Sequence, residues 1–276
     1  MDTAIAQPVS VSSLLASMSS TSSPLVIDVR RTPAFAADTG MLAGATWRDP
    51  FLLEDWIKLL PRDRDIVVYC VHGHEISKNA CVTLRNAGFR ASFVEGGIEA
   101  WKAAGAPTIR KAAALCVPSP PNEPTIWITR ERPKIDRIAC PWLIRRFIDP
   151  LAEFVYVPAA DVMSQAEVRS AIPYDVPHVQ FSHRGEACSF DAFVADFEIA
   201  DPALHDLAVI VRGADTGKPE LTPQSPGLLA VSLGLSALHP NDHEMLEHGM
   251  VVYDALYAWL KRARAEVHNA DLFVKS

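Results

Sequence analysis

The apolar run Ile66–Cys70 (IVVYC) ends in a thiol, and Val71, His72, Gly73, His74, Glu75 and Ile76 follow before an amphipathic stretch that Gly88 closes. A thiol at the end of a buried strand, facing a tight loop and the start of a helix, meets backbone N–H groups and the positive end of a helix dipole. Both favour thiolate over thiol. Gly73 lets the loop curl so that successive amides converge on an anion. The chemistry that uses such a cradle is nucleophilic attack by sulfur, with a persulfide or oxyanion held by the loop. The plainer alternative is a small buried hydrophobe, the commonest use of a free cysteine and the one that suits Cys81 inside the following helix. A phosphatase-like cysteine loop needs an arginine to clamp the oxyanion. Ile76 stands in that place.

The second half of the chain holds weaker constellations. Residues 130–146 (RERPKIDRIACPWLIRR) carry a net charge of +4, whereas residues 147–276 carry -11. If a helix starts at Cys140–Pro141, Cys140 lies at its N-terminal end, where Arg137, Arg145 and Arg146 would help hold a thiolate or a tetrahedral oxyanion such as chromate. A solvated basic face accounts for the same residues. His183, Glu186 and Cys188 fall within FSHRGEACSF and are ligand types for a borderline metal such as zinc, although a polar turn would look alike. His239, His243 and Glu247 recur at intervals of four, but Pro240 and Asn241 interrupt them. Asp242 then reads as a helix N-cap and the set as a surface. VRGADTG (211–217) reads as a loop exposing Asp215.

These residues need positioning elements. Leu25–Val29, Ile66–Tyr69 and Ala91–Val94 are short apolar runs without alternation, as in fully buried parallel strands. Between them lie helical patterns: a short helix capped by Ser12, then Leu52–Leu60, Ile76–Ala87 and Ile98–Ala104. Such alternation predicts α/β architecture, a parallel sheet with helices on both faces, the chemistry sitting where strands end. Residues 108–124 form a Pro-rich linker (VPSPPNEP within it). Beyond it, Thr125–Thr129 and Phe154–Val157 read as strands. Leu143–Ile148, Phe190–Phe197, Leu204–Val211 and Leu246–Leu260 read as helices, a helix-rich α+β domain. The expected domains are 1–107 and 125–276.

Composition agrees with two folded modules. The chain has 276 residues, 49% hydrophobic and 21% charged, with a net charge of -7. That excludes a mainly disordered chain and argues against nucleic acid as a partner. Five cysteines at irregular spacing fit reduced thiols in the cytoplasm. No N-terminal signal pattern and no run long enough to span a membrane is expected.

LVIDVR, GMLAGATWRDP, VVYCVHGHEIS and FVEGGIEAWKAAGAP resemble, in order and spacing, the rhodanese family of sulfurtransferases over residues 8–107. The resemblance implies that Cys70 is the persulfide-forming nucleophile, that Val71–Glu75 form its loop and that Asp28 and Arg30 brace that loop. It implies a small sulfur donor, a thiol acceptor and no cofactor for this domain. Two departures are Glu75, where a basic residue is common, and Met41, where a histidine is. A carboxylate at the rim repels a dianion, so thiosulfate should be a weaker donor than a persulfide or another low-charge compound. KIDRIACPWLIRRFIDPLAEFVYVP, FSHRGEACSFDAF, LAVIVRGADTG and GMVVYDALYAW resemble the C-terminal domain of ChrB-type chromate-resistance proteins over residues 125–262. That implies a module that binds an oxyanion, a metal ion or a redox partner. The alternative it implies is a chromate-responsive regulator in which the rhodanese-like part is a binding or thiol-sensing element.

Overall fold

The computed structural model describes residues 5–18, 23–111 and 125–266. Cys116 and nearly all of the Pro-rich segment lie outside the described residues.

The apolar runs of the first module assemble into a five-stranded, all-parallel sheet in the order β1-β6-β5-β2-β4. Its strands are β1 (Pro8–Val9), β2 (Leu25–Asp28), β4 (Ala45–Trp47), β5 (Ile66–Tyr69) and β6 (Ala91–Val94). Every residue of β2 and β5 is buried, which explains why neither run alternates. One face of the sheet, carrying Ile66, Val68 and Cys70, packs on α3 (Leu53–Trp56) and α4 (Glu75–Asn86). Cys81 of α4 is buried there, as core. The other face, with Val26, Val67 and Tyr69, packs on α1 (Val11–Met18) and α5 (Gly97–Ala103). Two local expectations need correction. Ser10, not Ser12, accepts the first free amide of α1, from Ser13 at 3.1 Å. The single helix expected over 52–60 is split, because Pro50 starts a 3-10 turn before α3 and another follows it.

The second module has a three-stranded parallel sheet in the order β10-β8-β9. β8 is Ile126–Arg130, β9 Glu153–Val157 and β10 Ile172–Pro173. Around it lie α6 (Asp136–Leu143), α7 (Val162–Arg169), α8 (Ser189–Asp196), α9 (Pro202–Asp215), α10 (Ser225–Leu238) and α11 (Asp242–Ala258). Helix α6 starts four residues before the expected point, so Pro141 lies inside it. The missing N–H there is followed by a π-helical turn over Ile144–Ile148. Helix α10 has no usable periodicity. It buries Ser225, Leu228, Ser232 and Ser236 while Val231, Leu233 and Leu238 are exposed. The cap of α11 is Asn241, whose side chain accepts from the amides of His243 and Glu244, and not Asp242.

The modules share one apolar core, which runs from Leu14, Val67, Tyr69 and Trp101 to Trp142, Phe147, Phe190 and Tyr257. The segment expected to be linker begins with a strand, β7 (Thr108–Arg110), antiparallel to β3 (Gly40–Leu42). The amide of Arg110 donates to the Phe197 carbonyl at 2.8 Å, and the Ala200 amide to that of Thr108 at 3.3 Å. Thus β7 ties the modules together by backbone bonds. Among the described residues no helix is long and apolar enough to cross a membrane.

Candidate thiol site and acidic cluster

Cys70 follows β5 directly, and its buried Sγ lies 3.2 Å from the Ser77 hydroxyl in the first turn of α4. The loop is held from behind: the amides of Ile98 and Glu99 donate to the carbonyls of Cys70 and Val71 at 3.0 and 3.2 Å. That contact requires glycine at 97, since a Cβ there would lie 2.4 Å from both carbonyl oxygens. It also requires glycine at 73, whose φ is +68° and whose Cβ would lie 2.6 Å from the Val94 carbonyl. His72, His74 and Glu75 are exposed, Val71 and Ile76 half-buried. The two imidazoles form one side of the rim, ring centres 5.8 Å apart. Residues 71–76 bring no lysine or arginine to it.

Asp28 and Arg30 do not touch this loop. They lie with Tyr69 on the opposite side of β5 from the Cys70 thiol. The Arg30 guanidinium donates to both Asp28 oxygens at 2.6–3.0 Å, to Asp38 at 2.8 Å and to the Gly40 carbonyl at 3.0 Å. The Tyr69 hydroxyl donates to Asp28 at 2.9 Å and accepts from the Leu42 amide. The support for Cys70 is therefore indirect, through the strand residue before it.

In the second module the expected oxyanion set does not assemble. Arg145 pairs with Glu247 at 2.7 Å and Arg146 forks Asp254 at 2.9 Å; Arg137 lies 3.4 Å from Asp175. Cys140 is not at a helix start. It is fully buried in the second turn of α6, its thiol donating to Asp136 Oδ1 at 3.3 Å, and burial beside Asp136 and Asp175 pushes that thiol up. Glu186 points away, to Lys218. Cys188 is buried at the N-cap of α8, and burial with Asp136 and Asp191 nearby raises its thiol as well. His239 stacks on His248, His243 meets Tyr156 and Glu247 meets Arg145, so the four-spaced set is not one site.

His183 alone of the FSHRGEACSF candidates reaches a constellation, and three aspartates complete it. Its Nε2 lies 3.5 Å from Asp136 Oδ2, 3.4 Å from Asp175 Oδ1 and 3.2 Å from Asp215 Oδ2. Asp136 begins α6 and also accepts the amides of Ser189 and Phe190 at the start of α8, at 2.7 and 3.0 Å. Asp175 follows β10 at φ +50° and accepts from the Ser189 hydroxyl and from Arg130. Asp215 is the last residue of α9 and mostly buried, not an exposed loop residue. Sequence reading missed Asp136 and Asp175 because each looks like an ordinary cap or turn residue. The signal was their place at element boundaries, three acids in one domain.

Asp136 and Asp175 raise the His183 imidazole to about 10, and burial beside the same two acids lifts Asp215 to about 7. His183 should titrate well above an ordinary imidazole, as imidazole NMR will show. The sign follows from the shift: the stabilisation is complete below about pH 6.5 and is lost as pH rises toward 10. His183→Gln should remove that part of the pH dependence.

A model of the rhodanese-like domain matches residues 11–104, and one of the ChrB C-terminal domain matches residues 127–260. A sulfurtransferase of Allochromatium vinosum is 36% identical over 98 residues, 35% of this chain and 89% of that one. The chain joins a rhodanese-like domain to a ChrB C-terminal domain. The rhodanese-like domain is also 33% identical, over 79 residues, to the thiosulfate sulfurtransferase GlpE of Stutzerimonas stutzeri, covering 28% of this chain and 70% of that one. The ChrB protein of Cupriavidus metallidurans is 34% identical over 139 residues, half of this chain and 41% of that protein's length. A solved rhodanese-related protein from Thermoplasma volcanium is 28% identical, with a TM-score of 0.33 over 37% of this chain and 96% of that one. The residues that match the rhodanese-like domain model hold most of the parallel sheet and its flanking helices, and the helix-rich ChrB C-terminal domain follows.

Proposed function

We propose that the rhodanese-like domain is a sulfurtransferase that carries a persulfide on Cys70. The observation that supports this reading best is the Cys70 thiol at the first turn of α4, inside a loop seated on Gly96–Gly97. The Cys70 thiolate attacks the outer sulfur of a donor persulfide, the donor S–S bond breaks and the donor thiolate leaves. An acceptor thiolate then takes the outer sulfur and restores the Cys70 thiolate, so that no net oxidant is consumed.

The rim sets the donor. Glu75 is exposed, and no cation from the loop opposes it. A dianionic donor meets repulsion there that a low-charge persulfide does not. Glu75→Arg should therefore raise kcat/KM for thiosulfate about tenfold, equivalent to ~1.4 kcal/mol, and leave a neutral persulfide donor nearly unchanged. Steady-state assays with the two donors test this. Intact-protein mass spectrometry after donor treatment tests the reading as a whole: the wild type should gain one sulfur atom, and absence of that gain would overturn it.

A further inference from the structure

The three aspartates around His183 converge on a single ring nitrogen. Nε2 carries at most one proton, which serves one acceptor, yet carboxylate oxygens face it at 3.2, 3.4 and 3.5 Å. Two of these are longer than an ordinary N–H···O bond. They instead match a coordination polyhedron, because two ligand atoms each about 2.1 Å from a tetrahedral ion stand about 3.4 Å apart. One ligand atom each from Asp136, Asp175 and His183 falls within 4.8 Å of the others.

The contacts around the cluster add to this. The surroundings hold the ligands in place as an outer shell does: backbone amides of Ser189 and Phe190 on Asp136, and the Ser189 hydroxyl with Arg130 on Asp175. His183 is 42% exposed, which gives an ion a way in.

We propose that Asp136, Asp175 and His183 bind one divalent transition-metal ion of the zinc class, with Asp215 beside the remaining position. Imidazole selects this class over magnesium or calcium. The site replaces the His183, Glu186 and Cys188 set expected from sequence, since Glu186 faces Lys218. It does not depend on sulfur transfer at Cys70.

The test uses the full chain, stripped with chelator and titrated calorimetrically with Zn2+, Mg2+ and Ca2+, with metal content measured after gel filtration. The wild type should retain one zinc per chain and neither hard cation. His183→Ala, at an exposed position, should weaken zinc binding at least tenfold, and Asp175→Asn should do likewise. Glu186→Gln and Cys188→Ala should bind as the wild type does. Thermal melting of each metal-free variant shows whether it is folded. Absence of stoichiometric zinc on the wild type would overturn the site. So would zinc retained by both folded ligand variants, or calcium bound as tightly as zinc.

Discussion

Cys70→Ser is expected to abolish sulfur loading and to lower sulfur transfer by at least about 10^3-fold, the scale on which losing a covalent nucleophile acts. The serine keeps the size of the side chain and its contact with Ser77, so the loop and α4 should remain intact. What it lacks is chemical: a serine hydroxyl is not ionised near neutral pH and forms no stable bond to a sulfane sulfur. The expected signature is a normal melting temperature, unchanged mass after donor treatment and no transfer to an acceptor thiol. Cys81→Ser, in the core of the same helix, provides the contrast. It should load sulfur and lose stability. Sulfur gain by Cys70→Ser equal to that of the wild type would refute the assignment.

Arg30→Met should destabilise the chain by about 3–5 kcal/mol, seen as a lower urea midpoint at an unchanged slope. Arg30 is 1% exposed and Asp28 fully buried. Removing the guanidinium leaves the Asp28 carboxylate in the core with only the Arg30 amide and the Tyr69 hydroxyl as donors. Asp38 and the Gly40 carbonyl also lose a donor, which loosens the turn leading into β3. The paired variant Asp28→Leu with Arg30→Met removes both buried charges and should recover part of the loss, because the penalty belongs to the unpaired ion. Equal destabilisation by the single and double variants would show that packing, not charge, sets the cost.

The sequence is most legible where structure is local. Ile66–Tyr69 and Ala91–Val94 are strands with the limits expected, and the thiol stands at the strand end, because an unbroken apolar run between polar turns has few other ways to bury itself. The second module is less legible. Pro141 suits a first turn and so points to a helix start at Cys140. The helix begins instead at Asp136, whose carboxylate reaches the start of α8, 53 residues away in the chain for Ser189. Helix α10 leaves no amphipathic signature because it packs through serines and exposes leucines, a pattern that only its contacts with α9 and α11 make favourable.

The amino-acid sequence by itself determined a parallel sheet, a cysteine poised at the end of its central strand, a glycine at 73 that lets the loop curl over it, and a second, acidic module. Tertiary structure alone decided that Asp136, Asp175 and Asp215 meet His183, that the candidate arginines are taken by carboxylates, and that the two modules share one core. The physical reason is range. Burial and turn chemistry are written in neighbouring residues, whereas a site built from four separate segments exists only once packing has brought their ends together.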